Sequence, residues 1–458
     1  MKNDFDVPAA LIRKYNQPVP RYTSYPTVPS WKETIDTGEW KNIIQTKFAA
    51  ANGQGISLYL HLPFCESLCT YCGCNKKITT NHSVEERYIA ALEKEWELYR
   101  ELMQQAPVIR ELHLGGGTPT FFSATNLERI LQLVLKDTIV HPLHEFSIEG
   151  HPNNTTIEQL ETLYKLGFRR ISYGVQDNDP TVQKIINRIQ PFEHVKSATE
   201  NARATGFTSV NFDLIYGLPF QTKDSIKKTI EQVITLMPDR IAFYSYAHVP
   251  WTSKAQRLFD ETDLPSAEDK IGLYLTGKQL LLENGYADIG MDHFALPHDA
   301  LYKARIDGSL HRNFMGYTTQ HTSVLLGLGV SAISDAGTAF AQNDKTLSGY
   351  YTALEEYKLP IKKGYILNQE DLLFRKNIKD ISCIGKTTFA EEQLPLLKEY
   401  SFSQLSLLAE DGLVQFDSDG CVLTEKGHYF IRNICSAFDL HLQRNKIENE
   451  KLLFSKAI

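Results

Sequence analysis

Hydrophobic and polar positions along the first half of the chain alternate between the rhythm of strands and the rhythm of helices. Short runs rich in β-branched and aromatic residues predict six strands, at 56–62, 110–116, 145–150, 169–175, 209–217 and 239–249. Apolar residues that recur every three or four positions predict helices between them, at 83–103, 125–136, 155–167, 192–206 and 223–237. Strands that alternate with helices in this way predict a parallel α/β sheet with right-handed crossovers. The periodicity leaves open whether that sheet is doubly wound or forms a barrel.

Glycine and serine mark the ends of several predicted helices. Gly167 and Gly206 stand where a helix ends in a left-handed residue, a conformation that costs glycine little. The segment 263–285 predicts a further helix, with Ser266 as its N-cap and Gly285 as its C-cap.

The second half of the chain departs from this alternation. Residues 286–335 are rich in histidine, aromatic residues and glycine, and we expect an irregular active-site wall there. The end of the chain reads as a helix over 403–411, two short strands about a turn at 417–420 and a final helix, which is the order of a winged helix. We therefore expect an N-terminal extension, a βα domain, an irregular wall with a connection, and a mainly helical, winged-helix-like C-terminal domain, at 1–50, 51–290, 291–365 and 366–458.

The composition is that of an ordinary globular protein with an acidic balance. The chain has 458 residues, 42% of them hydrophobic, and a formal net charge of −7. This charge argues against an electrostatic grip on nucleic acid, and the helix over 403–411 carries the acidic residues Glu410 and Asp411. We therefore expect the winged-helix segment to cover the βα domain rather than to bind DNA.

The chain shows no targeting or membrane segment. Its first residues have neither the apolar core nor the small-residue cleavage site of a signal peptide, and no run approaches the ~18 apolar residues that cross a bilayer. Cys383, Cys421 and Cys435 lie far apart, which suits buried thiols in a reducing compartment better than a disulfide framework. We expect a cytoplasmic enzyme.

The most specific chemical signal is a cluster of cysteines directly after the first predicted strand. Four of the seven cysteines, Cys65, Cys69, Cys72 and Cys74, fall within ten residues. The spacing C-x3-C-x2-C differs from the paired C-x2-C spacing of structural zinc sites, although a zinc knot is the alternative interpretation. Three of these thiolates can bind three irons of a cubane cluster and leave the fourth iron open. An open iron implies a ligand from outside the protein, and therefore catalysis.

The cysteine run resembles the cluster loop of the radical S-adenosylmethionine (SAM) enzymes. Its extended form, with Tyr71 before the third cysteine and Gly73-Cys74-Asn75 after it, is similar to that of the oxygen-independent coproporphyrinogen III oxidase family. Further blocks that match this family are PRYTSYPT (20–27), HLGGGTPT (113–120), YGVQD (173–177), DLIYGLP (213–219), YAHVP (246–250), MDHFA (291–295), HRNFMGYTTQ (311–320) and GLGVSAIS (327–334).

The resemblance implies a fold and a set of cofactors. The fold would be a partial (βα)6 TIM-like barrel with its chemistry at the carboxyl ends of the strands and an N-terminal extension that reaches toward the active site. The cofactors would be a [4Fe-4S] cluster and two SAM molecules. Cys65, Cys69 and Cys72 would bind the cluster and count with Tyr59 as the catalytic residues, while Cys74 would be a nearby thiol that is not a ligand.

Residue by residue, the resemblance also implies the SAM contacts. Tyr59 matches a tyrosine that the family places against SAM, and Gly116 and Glu149 match contacts of the first SAM molecule. Positions around the second SAM molecule match Tyr71, Gly117, Thr118, Gln176, Arg188, Asp213, Ala247 and Ile333. The alternatives are a core aromatic for Tyr59, a tight turn for the glycine block, and structural ion pairs for the charged residues.

One departure from the family pattern is visible. After Glu149 the chain reads Gly150-His151-Pro152-Asn153, where relatives often carry an acid before the proline and an arginine after it. The departure bears on hydrogen bonding near the first SAM molecule.

The implied reaction is the conversion of coproporphyrinogen III to protoporphyrinogen IX. A radical derived from SAM would take a hydrogen atom from a propionate β-carbon, and loss of a second electron and of CO2 would leave a vinyl group, twice per molecule. A substrate with four propionates needs cationic side chains, and we expect Arg21 and Arg312 to serve. The expected partner is an electron donor such as a flavodoxin or ferredoxin, and the expected state is a monomer.

Two other functions compete with this one. The related haem chaperone shares the cluster loop, but it usually begins almost at its first strand and lacks the Gly-Cys-Asn that follows Cys72 here. A zinc-stabilised regulatory protein with a winged-helix module belongs to another class, and metal analysis would separate it at once.

Overall fold

The computed structural model describes residues 7–31, 35–251, 253–447 and 454. Its strands, in chain order, are β1 (Ile56–Leu62), β2 (Phe64–Cys65), β3 (Lys77–Ile78), β4 (Val108–Gly116), β5 (Ile139–Gly150), β6 (Arg170–Gln176), β7 (Ser209–Tyr216), β8 (Arg240–Ser245), β9 (Ala287–Gly290), β10 (His293–Ala295), β11 (His311–Asn313), β12 (Gly316–Thr318), β13 (Leu325–Leu328), β14 (Ile333–Asp335), β15 (Ala339–Asn343), β16 (Ile361–Ile366), β17 (Lys386–Thr388), β18 (Val414–Phe416) and β19 (Gly420–Leu423).

The α-helices, in chain order, are α1 (Ala9–Tyr15), α2 (Thr37–Ala51), α3 (Val84–Arg100), α4 (Ala124–Leu135), α5 (Ile157–Lys165), α6 (Pro180–Ile185), α7 (Phe192–Thr205), α8 (Lys223–Thr235), α9 (Ala267–Glu283), α10 (Ala300–Asp307), α11 (Leu347–Glu355), α12 (Gln369–Ile384), α13 (Leu394–Leu396), α14 (Phe402–Glu410), α15 (Ile431–Ala437) and α16 (Leu440–Ile447).

The predicted parallel sheet is confirmed. Strands β1, β4, β5, β6, β7 and β8 pair in that order and all in parallel, with helices packed between successive strands. β13 adds a seventh parallel strand beside β1, with Ser57 opposite Leu325. Antiparallel strands extend both edges, β10 and β9 beside β8, and β14, β15 and β16 beyond β13. The result is the partial barrel that the sequence predicted, enlarged by strands from the second half of the chain.

The element ends follow their local chemistry. Ser266 caps α9 as predicted, with its hydroxyl accepting from the Asp269 amide at 3.1 Å. Gly206 ends α7 in the left-handed region at φ 113°. At the end of α9 the C-cap is Asn284, and the left-handed Gly285 comes one residue after it. β8 ends at Ser245, four residues before the predicted 249, since the Val249 amide bonds to the side chain of Gln256 instead of a neighbouring strand.

The expectation that the chain after residue 286 is irregular is wrong, whereas its role as an active-site wall stays a prediction. This part of the chain contains short strands, and β13 and β15 are wholly buried in the main sheet. Such strands escape sequence analysis because they are three to five residues long and, when buried on both faces, show no alternation of polar and apolar residues. The domain boundaries at 290 and 365 stay predictions.

The N-terminal segment lies between the barrel and the C-terminal part of the chain. Tyr22 donates to Asp439 at 3.0 Å, and Tyr25 accepts from the Leu440 amide at 3.1 Å. The guanidinium of Arg21 donates to the carbonyl of Ser245, the last residue of β8. The segment is therefore packed rather than loose, and it reaches the carboxyl end of a barrel strand.

The C-terminal part has the predicted winged-helix order, with β17 as an unforeseen third strand of its small sheet. The carboxylate of Asp411, just after α14, accepts hydrogen bonds from Lys14 and Tyr15 of α1. This end of α14 is therefore covered by the chain's own N-terminal helix. Among the described residues, no helix combines the length and the apolar character that a membrane span requires.

A buried carboxylate ties the loop after β13 to α3. Glu95 accepts from the Gly329 amide at 2.7 Å, from Asn343 at 2.6 Å and from the Tyr350 hydroxyl at 2.7 Å. Burial raises the pKa of Glu95 to about 7. Nothing in the sequence singles this residue out, since its partners lie more than two hundred residues away along the chain.

We expect Glu95→Ala to lower the stability of the protein by on the order of 3 kcal/mol, because it leaves three buried donors without an acceptor. The midpoint of thermal denaturation measures the effect. Glu97→Ala, an exposed position on the same helix, is the matched control and should leave the midpoint unchanged. Equal midpoints for the two variants would contradict the role assigned to Glu95.

Candidate active site

The four clustered cysteines line one cavity at the carboxyl ends of the barrel strands. The cavity has a volume of about 310 Å³. It brings together most of the residues that the sequence predicted for the site, namely Cys65, Cys69, Cys72, Tyr71, Gly116, Gly117, Thr118, Glu149, Gln176, Arg188 and Asp213. Tyr59, Ala247 and Ile333 lie outside its lining.

The cysteine loop is held in place by main-chain bonds at both of its ends. Beside β2, the Lys77 amide donates to the Pro63 carbonyl at 2.7 Å, and the Thr79 amide donates to the Cys65 carbonyl at 2.9 Å. The middle of the loop bonds to the turn after α6, where Asn187 donates to the Leu68 carbonyl at 2.8 Å. The loop is thus shaped by the protein, and its sulfur atoms have fixed directions.

Each sulfur of the loop has its own surroundings. Thr118 donates to Cys65 Sγ at 3.2 Å, and the guanidinium of Arg188 approaches Cys69 Sγ at 3.6 Å. A hydrogen bond from the Cys74 thiol lowers the pKa of Cys72, whereas burial raises the pKa of Cys65 to about 11. Cys74 thus lies close to Cys72, and its role as a thiol that is not a ligand stays a prediction.

A cubane cluster and a zinc knot make different demands on the thiols. A tetrahedral zinc site needs several side chains on one ion, while each cysteine of a cubane binds a different iron. Cys65, Cys69 and Cys72 line one cavity, which fits the cluster.

The glycine block lies directly against the cysteine loop. A Cβ on Gly117 would lie 2.6 Å from the backbone of Pro63, and a Cβ on Gly116 would lie 2.9 Å from the ring of His61. Gly116 also has a left-handed φ of 118°. Glycine is required at both positions, since any side chain would push the loop and β4 apart.

Two buried polar atoms in the cavity wall have no hydrogen-bond partner. Arg188 donates to the Gly174 carbonyl at 2.6 Å, but its Nε has no hydrogen bond. The side-chain oxygen Oε1 of Gln176 is likewise buried and unpaired, on a residue with a left-handed φ of 68°. Unpaired buried polar atoms are costly, and together they fit a polar ligand that has both donors and acceptors.

Two carboxylates, Glu149 and Asp213, also line this cavity. Glu149 accepts from the Gly116 amide at 3.3 Å, and burial followed by the charge of Glu149 raises the pKa of Asp213 to about 7. Burial lowers the pKa of His151, the residue that departs from the family pattern, to about 3. His151 is therefore a neutral imidazole in this wall.

A second cavity, of about 240 Å³, continues into the barrel and shares Glu149 with the first. Tyr59 and Ile333 line it. Tyr59 donates to His61 Nδ1 at 3.0 Å, while His61 Nε2 donates to the Asn75 carbonyl at 2.8 Å. Burial lowers the pKa of His61, which keeps the imidazole neutral for both bonds. Sequence reasoning missed His61, whose only signal was its position two residues after Tyr59.

Ala247 is connected to the cysteine loop through Gln256, a residue that the sequence analysis did not single out. The side chain of Gln256 donates to the carbonyls of Tyr71 and Ala247, at 3.2 Å each. Gln256 thus fixes the cysteine loop to the segment after β8. Arg312, expected near a propionate, lies in a small cavity beside Tyr22 and Tyr25 with two unpaired guanidinium nitrogens.

Comparison with known proteins gives the same assignment as the cysteine loop. The family model of the radical SAM superfamily matches residues 59–233. The chain is 41% identical over 452 residues to the oxygen-independent coproporphyrinogen III oxidase of Escherichia coli K12, with 96% of each chain covered. It is 38% identical over 460 residues to the enzyme of that name from Synechocystis, with 98% of each covered.

A solved structure extends this likeness to the whole fold. The coproporphyrinogen III oxidase from Escherichia coli, described as a radical SAM enzyme, superposes with a TM-score of 0.87 at 39% identity. The match covers 95% of this chain and 99% of that one. The chain therefore belongs to the oxygen-independent coproporphyrinogen III oxidases, a family of radical SAM enzymes that use a [4Fe-4S] cluster and SAM.

Proposed function

We propose that the protein converts coproporphyrinogen III to protoporphyrinogen IX without oxygen, as a step of haem biosynthesis. Each of two propionates would lose one hydrogen atom, one electron and CO2, and would become a vinyl group. The cysteine loop against the glycine block is the observation that carries the proposal, together with likeness to the named oxidases over nearly the whole chain.

The chain's own thiols would hold the cluster. Cys65, Cys69 and Cys72 are assigned as its ligands, and Cys74 as a donor to the sulfur of Cys72. When bound, the cluster and SAM supply a 5′-deoxyadenosyl radical, which is the oxidising agent of the reaction. The protein's part is to bind, orient and enclose the reacting groups.

The first SAM molecule is assigned to the space between the glycine block and Glu149. Gly116 allows close approach because it has no side chain, and the Glu149 carboxylate can accept from a SAM ammonium or ribose hydroxyl. Tyr59 lies beside this space, and its hydrogen bond to His61 holds it in one orientation. These contacts would fix the ligand beside the open iron.

A second SAM molecule is assigned to the wall formed by Arg188, Gln176 and Asp213. The unpaired Arg188 Nε can donate to a carboxylate, and the unpaired oxygen of Gln176 can accept from an ammonium. The raised pKa of Asp213 would return toward its ordinary value beside a positively charged group. Tyr71, Gly117 and Thr118 complete this part of the lining.

Several narrower expectations stay predictions. An electron donor such as a flavodoxin or ferredoxin would approach the exposed loop residues Glu66, Ser67 and Leu68. We also predict a monomeric state, a cytoplasmic location and no binding of nucleic acid. The haem chaperone remains the second candidate function, and the near-complete match to the oxidases favours decarboxylation over haem transfer.

Reconstituted protein should form protoporphyrinogen IX when it is incubated anaerobically with SAM, a reductant and coproporphyrinogen III. Chromatography of the oxidised products measures the yield. Haem binding without decarboxylation, from protein that still cleaves SAM, would favour the chaperone.

Replacement of Cys65, Cys69 or Cys72 by serine should abolish the iron–sulfur absorbance of reconstituted protein, because each change removes a proposed ligand. Cys74→Ser is the matched control in the same loop and should keep the absorbance. Equal loss from all four changes would defeat the assignment of three ligands.

Arg188→Ala should leave cluster content intact and still allow some reductive cleavage of SAM, yet lower product formation strongly. Loss of one charge-assisted contact in an enclosed site costs on the order of 2–3 kcal/mol, or about two decades in rate. Lys184→Ala, an exposed cation of the same segment, should be fully active. Full activity of Arg188→Ala would make Arg188 a structural residue.

A further inference from the structure

A third cavity lies at the other end of the barrel from the cysteine loop. Its volume is about 530 Å³, within the range of small-molecule sites. Leu325 lines it and pairs with Ser57 near the amino end of β1, whereas the cysteines follow the carboxyl end of that strand. Strand β11 and the helix α12 contribute to its other walls.

This cavity adjoins others through shared lining residues. Leu325 also lines the barrel cavity that contains Tyr59, and Glu149 lines both that cavity and the one lined by the cysteines. On another side, Asn313 and Lys379 are shared with the small cavity beside the N-terminal segment. The third cavity is therefore next to the barrel cavity, which is itself next to the site of the chemistry.

The charge in this cavity is unbalanced. Its two carboxylates are already paired, Asp335 with Arg375 and Asp380 with Lys376. Lys379 also lines the cavity, and among the described residues no carboxylate oxygen lies within ion-pair distance of its ammonium. The wall therefore holds three cationic side chains and two carboxylates, around a cavity large enough for a ligand.

Two histidines lie beside Lys379, in addition to the charges of Asp335 and Asp380 that act on it. Its Nζ lies 3.3 Å from His311 Nε2, and the rings of His311 and His321 are 4.8 Å apart. Burial, followed by the charge of Lys379, lowers the pKa of His311 to about 3. The neutral ring thus accepts from Lys379 through Nε2 and carries its proton on Nδ1, where it can donate to an anion.

We propose that this cavity binds the propionate carboxylates that the reaction does not remove, with Lys379 as the ionic anchor and His311 as a second donor. The inference rests on the proposed function and names a binding site for its substrate. Two of the four carboxylates leave as CO2 and two persist, so an anchor that lasts through both rounds must contact the persistent pair. A basic cavity that joins the barrel from its far end meets that requirement.

Binding of coproporphyrin III, the stable oxidised tetracarboxylate, to reconstituted enzyme with SAM tests the proposal by fluorescence titration. Lys379→Gln should raise Kd roughly tenfold to a hundredfold, since it removes a charged hydrogen bond. His311→Gln should raise it by a smaller factor, and Lys379→Arg should bind nearly as well as the unchanged protein. Lys386→Gln, which removes the same charge at an exposed position just after α12 and outside the cavity lining, is the matched control and should stay within twofold.

The tetramethyl ester of coproporphyrin III distinguishes carboxylate recognition from apolar contact, since it should bind equally to all the variants. Unchanged Kd for Lys379→Gln, equal weakening by Lys386→Gln, or no saturable binding by the unchanged protein would overturn the proposal. Binding of free succinate without binding of the porphyrin would instead assign the cavity to a small carboxylate and overturn it as well. Formation of protoporphyrinogen IX is measured in a separate assay. If the unchanged protein binds coproporphyrin III through Lys379 but forms no protoporphyrinogen, the proposed function fails while the binding site stands.

Discussion

The pairing of β1 with β4 is the constraint on which the rest of the site depends. Leu62 lies opposite Gly116, and just past that pair the Gly117 amide donates to the Leu62 carbonyl at 2.9 Å. The Thr118 amide then donates to the Phe64 carbonyl at 3.0 Å. These bonds fasten the glycine block to the start of the cysteine loop with no room for a side chain between them. The hydrogen bond from Thr118 to Cys65 follows directly from this register.

The same strand, β1, also pairs with a strand on each of its sides near Tyr59. Tyr59 stands between His113 on β4 and Gly327 on β13, so both of its neighbours belong to segments that line the barrel cavity. Glu95 in turn fixes the loop that begins at Gly329. A buried carboxylate on a helix behind the sheet therefore helps to place Ile333 opposite the tyrosine.

Part of this arrangement could be predicted from the sequence, because it depends on residues that are close together along the chain. The cysteine loop and the glycine block are short runs, and the βα units have amphipathic helices whose periodicity shows in any window of the chain. β13 and β14 were missed because strands this short take their structure from distant partners. Gln256, Glu95 and Lys379 were missed for the same reason, since each acts through contacts with residues far away in the sequence. The role of a charged side chain depends on its burial and on its partners, and neither can be read from the residues next to it in the sequence.

The N-terminal segment packs against both the barrel and the C-terminal part of the chain. Arg21 and Tyr22 are adjacent, yet one bonds to the end of β8 and the other to Asp439 in the C-terminal part. Arg432 donates to the carbonyl of Pro20 at 3.2 Å, so the segment is held from both sides. Separation of the C-terminal part from the barrel would therefore break bonds on one side or the other of this segment. A buried polar group costs more when its bond is left unmade than the bond gains when formed, so the segment couples the C-terminal part to the end of β8.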